Sequence, residues 1–392
     1  MYKEKLEQAG KILNEQNIDM WLTLVRETIM NNDPILHFIS KVDFTALSGI
    51  MVIKSGKTVV LAGNNDAEGI NQTQLYDEVI TYSGNFKDAL REFLDLNKVT
   101  KLAVNYSIED VASDGLSHGL FLMLQEVVNS TSSKPEIVSA APIISKLRGN
   151  KTATEKQLII EAINTAEYIF QDARCFIKEG VTEQKIHQFF TDRMKYYGVQ
   201  PSWQASQCPG VMLGLQSVPG HNAPTEITAC KGDVMDIDFG VLQNGYCSDL
   251  QRTYYVLEDN EDCACEEVQK AFDTLKEAVR RAAEFIRPGV TGEEADAVAR
   301  SYVVSQGYPS WNYALGHQVG RMAHDGGMIL APKWNRYSSR QVEQPMETGM
   351  VFTLEPGIAT SRGYVGIEEM VYITEKGAEF LSSPQQEIYL LK

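Results

Sequence analysis

The chain has 392 residues, too many for one ordinary hydrophobic core, so its length predicts two domains. With 43% apolar and 9% aromatic residues it has the composition of a folded globular protein, and a formal charge of −16 argues against nucleic acid or an anionic membrane as a partner. Six cysteines in a chain this long do not make a disulfide framework, and no apolar run approaches the roughly 18 residues that a membrane span needs.

"MYKEKLEQAG" lacks the basic and then apolar pattern of a secretion signal, so the expected location is cytoplasmic. A helix is predicted over about residues 2–17, with Leu6, Ala9, Ile12 and Leu13 on one face. Strand-like runs follow in "DMWLTLV", "SGIMVIKSG", "KTVVLAG" and "KLAVNYS", the middle two forming a hairpin across Ser55 and Gly56. Helical patterns near 85–95 and 117–128 alternate with these strands. The pattern is that of an α/β domain ending near 135–150, with the polar loop "NSTSSKPE" near that edge.

At Thr152, with Glu155 three residues on, a capping box opens a long helix that continues to about Ile177. "TEQKIHQFFTDRMKYYG" and "CEEVQKAFDTLKEAVRRAAEFIRPG" are further helices. Another capping box, Thr291 with Glu294, starts a helix reaching Gln306. Strands rich in Asp, Glu and Gly lie between and after them. The second part therefore reads as helices packed over an antiparallel sheet, an α+β arrangement.

"DVMDIDFGVLQNGYCSDLQRTYYV" is the clearest local signal. Asn244-Gly245 is a strong two-residue hairpin turn, which sets Gln243 opposite Tyr246 and Gly240 opposite Asp249. Asp238 and Asp249 then share a face as diagonal neighbours, about 7–8 Å apart at Cα, with Gly240 leaving space between them. Asp236 falls on the same face. Three carboxylates there repel and resist burial unless cations neutralise them, although a solvated acidic face explains the pattern equally well.

"YALGHQVGRMAHDGG" then places two of the six histidines, His317 and His324, among glycines. "GMVFTLEPG" and "GYVGIEEMVYIT" read as two adjacent strands. Glu355 ends the first, and the second carries Glu368 and Glu369 on opposite faces. Alternation alone does not say which glutamate looks into a site. One imidazole and four carboxylates suit two divalent ions bridged by water better than one structural zinc.

With "GHNAP", "DIDFG…GYCSDLQRT", "GHQVG…AHD", "GMVFTLEPG" and "GIEEMVYITEKG" in this order, the chain resembles the creatinase/aminopeptidase family of pita-bread metallopeptidases, in its Xaa-Pro aminopeptidase and prolidase branch. The resemblance implies an α+β fold: a catalytic pita-bread domain over 149–392, helices over a curved antiparallel sheet, preceded by a smaller creatinase-type α/β domain over 1–148. It implies a dinuclear ligand set of Asp238, Asp249, His317, Glu355 and Glu368, which favours Glu368 over Glu369. His221 in "GHNAP" and His324 correspond to the family's two non-ligand histidines. The implied cofactor is two divalent ions, manganese first, with cobalt, zinc or iron as alternatives.

The implied reaction removes the N-terminal residue of a short peptide, before proline. A metal-bridging hydroxide attacks the scissile carbonyl, Glu355 moves the proton, and His324 or His221 stabilises the oxyanion. A homodimer is also implied. Two positions depart from the family pattern: Tyr313 stands where relatives usually carry a histidine four residues before the ligand histidine, and Gly366 where they usually carry an arginine two residues before the last ligand. Together with Trp334 and Arg336 in "APKWNRYSSR", Tyr313 is a candidate substrate contact. The departures motivate an alternative in which the same metal site acts on a non-peptide small metabolite, as a C–N hydrolase or a lyase-like relative.

Overall fold

A computed structural model describes every residue of the chain except Pro219 and His221. Its contacts fall into two units, Met1–Arg148 and Gly149–Lys392.

The first unit is built on a six-stranded mixed sheet. Its strands are β1 (Met20–Val25), β2 (Ser48–Ile53), β3 (Thr58–Gly63), β4 (Glu78–Tyr82), β5 (Lys101–Val104) and β6 (Glu136–Ser139), in the order β4-β3-β2-β1-β5-β6. β1 pairs antiparallel with β2 and β2 with β3, whereas the outer pairings are parallel. Helices α1 (Tyr2–Glu15), α2 (Leu36–Ile39), α3 (Asn64–Gln72), α4 (Phe86–Leu96), α5 (His118–Ser130) and α6 (Ala141–Gly149) complete the chain to the boundary. Both faces of the sheet are covered, which is why every residue of "MWLTLV" is buried. Trp21, Ile50 and Val60 pack with Leu6 and Leu13 of α1 on one face. Leu22, Met51 and Leu61 pack with Leu90 of α4 and Leu124 of α5 on the other. "NSTSSKPE" lies shortly before the division between the units. It runs from the end of α5 into β6, and one more strand and helix follow before the boundary.

The second unit opens with α7 (Ala153–Phe176), whose Thr152–Glu155 capping box is formed in both directions, at 2.7 and 3.3 Å. α8 (Glu183–Tyr197) ends on Gly198, whose φ of 69° favours glycine. Then come β7 (Gln200–Pro201), β8 (Gly210–Leu213), β9 (Val234–Phe239), β10 (Val241–Gln243), β11 (Tyr246–Cys247) and β12 (Leu250–Val256), followed by α9 (Glu266–Phe285) and α10 (Gly292–Ser305). The rest is β13 (Gly316–His317), β14 (Ile329–Leu330), α11 (Ser339–Glu343), β15 (Val351–Leu354), β16 (Gly357–Thr360), β17 (Gly363–Gly366), β18 (Glu369–Thr374), β19 (Gly377–Phe380) and β20 (Tyr389–Leu391).

These strands form segmented, largely antiparallel sheets, with single bridges Gln251↔Glu368 and Gln318↔Phe352 joining the segments. Phe170 of α7 and Phe190 of α8 pack edge-on against Phe239 of β9. Phe272 and Ala299, from α9 and α10, share a core with Phe352 and Val371. Two helix pairs therefore back the strands, and the acidic positions are left to the other face. No helix among the described residues is long and apolar enough to cross a membrane.

"GYVGIEEMVYIT" is not one strand. β17 ends at Gly366 and β18 begins at Glu369; β17 pairs with β16, and β18 with β15. The break at 367–368 lets Glu368 bridge to Gln251 on β12, away from the β15 ladder.

Candidate metal centre

The Asn244-Gly245 hairpin sets the register of the site. Gln243 pairs with Tyr246, and the same register continues into Gln251↔Asp238 and Thr253↔Asp236. Asp236, Asp238 and Asp249 accordingly share a face. Gly240 does not open space for a cation as its position suggested. A methyl there would stand 1.9 Å from the Ser248 carbonyl oxygen, so the glycine permits the two backbones to cross closely.

His317 enters from the short β13. Its backbone N–H donates to Thr353 Oγ1, which donates in turn to Glu355 Oε1 at 3.1 Å. Gly316 is needed beside it, because a methyl there would meet the Thr353 carbonyl oxygen at 1.9 Å. The imidazole Nε2 lies 3.2 Å from Glu355 Oε1 and 3.8 Å from Asp249 Oδ2. Donor atoms of Asp249, His317 and Glu368 all lie within 4.8 Å of one another. Asp238 joins this group through a hydrogen bond with Asp249 and through the charges of Asp249 and Glu355.

The electrostatics show a cluster short of positive charge. Burial, then the charges of Asp249, Glu355 and Asp236, hold the Asp238 carboxyl well above the usual range. Burial, then the charges of Asp249, Glu355 and Asp238, do this to Glu368, and burial raises Asp249 to about 7 against the pull of His317. Burial would lower the His317 imidazole, but the hydrogen bond and charge of Glu355, with the charge of Asp249, outweigh it and raise it to about 9. Asp238 Oδ1 and Glu368 Oε2 are buried with no hydrogen-bond partner among the described residues. Oxygen-rich donors, one imidazole and orphaned buried oxygens are what a pair of divalent cations would satisfy.

The two adjacent glutamates have separate environments. Glu369 is fully buried and accepts from Arg252 Nη2 at 3.3 Å, Ser382 Oγ at 2.6 Å and the Gln385 amide at 2.8 Å. Arg252 also donates to the carbonyl oxygens of Gln251 and Glu368, at 2.9 and 3.1 Å. Glu369 is thus spent on an internal ion pair, and Glu368 turns to the acidic cluster. This arginine, inside "DLQRTYY", was not singled out in the sequence.

The remaining candidates are placed unevenly. The exposed His324 stacks edge-on against His317, ring centroids 4.2 Å apart. Its loop is anchored by the next residue: Asp325 pairs with Lys151 at 3.2 Å, both side chains buried, and Gly320 makes room for that carboxylate. Tyr313 reaches the centre; its hydroxyl bonds that of Tyr364 beside Gly357, and the charges of Glu355 and Asp236 act on both phenols. Tyr364 carries no sequence signal of its own. Trp334 stacks on Tyr337, and Arg336 lies 4.3 Å over Trp334 while donating to the Asn312 carbonyl at 2.6 Å. Arg336 thus approaches the centre through the backbone next to Tyr313, and Trp334 lies 5.3 Å from Arg300, which donates to the Tyr313 carbonyl at 2.9 Å. His221 lies outside the described residues.

Residues 157–375 match the sequence model of metallopeptidase family M24. The chain belongs to family M24. It is 28% identical to an Xaa-Pro dipeptidase of Pyrococcus furiosus over 98% of this chain and 99% of that one. It is 25% identical to the peptidase YqhT of Bacillus subtilis over 99% of this chain and all of that one. Its fold matches an Xaa-Pro dipeptidase from Bacillus anthracis, with a TM-score of 0.74 at 24% identity over the whole of both chains. It also matches an X-Pro aminopeptidase from Thermotoga maritima, with a TM-score of 0.72 at 24% identity over 96% and 99% of the two chains. This M24 member is a metallopeptidase-type enzyme with the α+β pita-bread fold, and M24 enzymes act with divalent metal.

Proposed function

We propose that this M24 enzyme binds two divalent cations between Asp238, Asp249, His317, Glu355 and Glu368 and removes the N-terminal residue of short peptides, with proline in second place. The observation that carries the reading is the convergence of Asp249, His317 and Glu368 donors within 4.8 Å beside orphaned buried oxygens of Asp238 and Glu368. The names of the Pyrococcus and Bacillus relatives supply the proline preference.

Bound cations would supply Lewis acidity and the charge that lets these carboxylates ionise together. The protein's own groups do the rest. Glu355, partly exposed at the end of β15 and oriented by Thr353, accepts a proton from the attacking water and delivers it to the leaving nitrogen. His324, exposed beside His317, donates a hydrogen bond to the developing oxyanion. Tyr313 and Tyr364 form a neutral hydroxyl wall next to Glu355. Manganese is the first metal to test, then cobalt, zinc and iron.

The test is a panel of Xaa-Pro and Xaa-Ala dipeptides and tripeptides with metal-loaded enzyme. The reading expects release of the N-terminal residue, fastest before proline. No release with any of the four metals overturns it. One observation favours the second reading, a non-peptide substrate at the same site: among the described residues, the phenol pair and Gly366 put no cationic side chain on that wall. Turnover of an amide or sulfonium metabolite with none of any peptide would select it. A homodimer is proposed from the family alone, and light scattering on the purified chain tests it.

A further inference from the structure

After the Gln318↔Phe352 bridge the chain reaches His324 through bends alone, with no helix or strand. His324 is exposed, and two glycines in the left-handed region follow it, Gly326 and Gly327, at φ 74° and 75°. A ring carried on such a segment has many orientations open to it, and holding one of them costs conformational entropy. The stacking of His324 on His317 therefore needs a support beneath the loop, and the structure supplies a buried ion pair there.

Asp325, the residue after His324, turns its carboxylate inward. Lys151 Nζ lies 3.2 Å from Asp325 Oδ2, and both side chains are 1% exposed. The loop is shaped around this pair. A methyl on Gly320 would meet Asp325 Oδ2 at 2.3 Å and Lys151 Cε at 3.1 Å, so the Gly320 backbone lies against both. The Asp325 amide donates to the Gln318 carbonyl at 2.9 Å, closing the loop at its base, and the Cys247 amide of β11 donates to the Gly320 carbonyl at 2.8 Å. Lys151 is itself fixed. It directly precedes the Thr152 cap of α7, and its amide donates to the Gly349 carbonyl at 2.8 Å. Gly349, at φ 96°, presses on it so closely that a methyl there would meet the Lys151 backbone at 3.2 and 3.3 Å. Gly349 leads into β15, the strand that ends beside Glu355. The lysine that holds the His324 loop is thus tied to the strand that delivers Glu355. A buried ion pair is a poor source of net stability, since its attraction scarcely offsets lost hydration. It does fix geometry, because neither partner can leave without stranding the other's charge.

We infer that Lys151 and Asp325 are positioning residues for His324: the pair clamps the loop so that the exposed imidazole stays stacked on His317, ready to donate to the developing oxyanion without reorganising. It rests on the reading of His324 as that donor. It adds to the reaction a lysine from the threshold of α7, 174 residues from its partner and outside every motif of the site.

The test reads ring geometry and turnover separately, in the full chain. The variants are Lys151→Met, Asp325→Asn and the double variant Lys151→Met with Asp325→Leu. The double variant replaces both buried charges with apolar groups, is expected to regain the stability a single substitution loses, and carries the test should the single variants fail to fold. In the metal-stripped chain with ring-labelled histidine, the His324 signal is assigned by its loss in His324→Asn. The wild-type signal is expected to be displaced by the neighbouring His317 ring, and in all three variants to move to the position of a free, exposed histidine. In the Mn²⁺-loaded chain, kcat on an Xaa-Pro peptide is expected to fall about a hundredfold in all three, the size of effect of a misplaced catalytic group, with KM and bound metal unchanged. A double variant that regains kcat along with its melting temperature overturns the inference, because the pair would then serve folding alone. So does a His324 signal that no substitution moves, or a fall in bound metal, which would place the effect at His317. A wild type that cleaves no peptide removes the peptidase reading, and the His324 signal then decides for or against the clamp by itself.

Discussion

Glu368 and Glu369 are neighbours in sequence with opposite tasks in the fold. Removing one partner of a buried ion pair strands the other charge, at a cost of about 3–5 kcal/mol. Glu369→Ala should therefore lower stability by about that amount, because it leaves the buried Arg252 with only the longer pairing to Glu167, at 3.9 Å. Glu368→Gln should leave the melting temperature of the metal-free protein unchanged or raise it, since it relieves repulsion with Asp238, Asp249 and Glu355. It should weaken Mn²⁺ binding by about a hundredfold or more, beyond the 10–100-fold range typical of outer-shell losses. Scanning calorimetry and titration calorimetry on the two variants check both halves; metal binding lost equally in both would contradict the assignment. Alternation could not separate these glutamates. The deciding contact is to Arg252, 117 residues away from Glu369 in sequence, and pattern reading does not reach across that distance.

Among the elements, the hairpin from β9 to β12 was the most legible. A two-residue Asn-Gly turn fixes register, and register fixes which carboxylates share a face. The capping boxes at Thr152 and Thr291 were legible for a similar reason, since both halves of each lie within four residues. The break between β17 and β18 was not, because apolar alternation continues through it and only the bridge from Gln251 to Glu368 explains it. Gly240 was misread because a glycine in a strand marks close backbone approach as readily as open space.

Gly240→Ala should cost more than about 2 kcal/mol, at the upper end of overpacking penalties, since its methyl would meet a backbone oxygen that has nowhere to move. Gly69→Ala, inside α3 with nothing within 4 Å of the added methyl, should instead stabilise by about 0.4–1 kcal/mol. Urea denaturation of the pair measures both signs. Thr152→Ala should cost about 1 kcal/mol by the same measurement, as it removes the acceptor at the start of α7.

Across the whole molecule, the two units have separate cores, and the acidic cluster belongs entirely to the second. A ligand that binds only the folded state stabilises by about 2.7 kcal/mol at a hundredfold excess over its Kd. Mn²⁺ at that excess should raise the unfolding transition of Gly149–Lys392, and a chelator should reverse the rise. A transition assigned by limited proteolysis to Met1–Arg148 should move much less. The overall class was legible because motif order and helix caps are local, whereas the phenol pair, the Arg252 network and the Lys151–Asp325 pair exist only once segments distant in sequence are brought together.

The most direct test of the central claim, a two-cation peptidase centre, is a titration of the metal-stripped chain with Mn²⁺. Bound metal and release of the N-terminal residue from an Xaa-Pro peptide are followed in the same samples. The account predicts no release without metal and a rise to a plateau at two cations per chain. Activity indifferent to stripping, or a plateau at one cation, would contradict it.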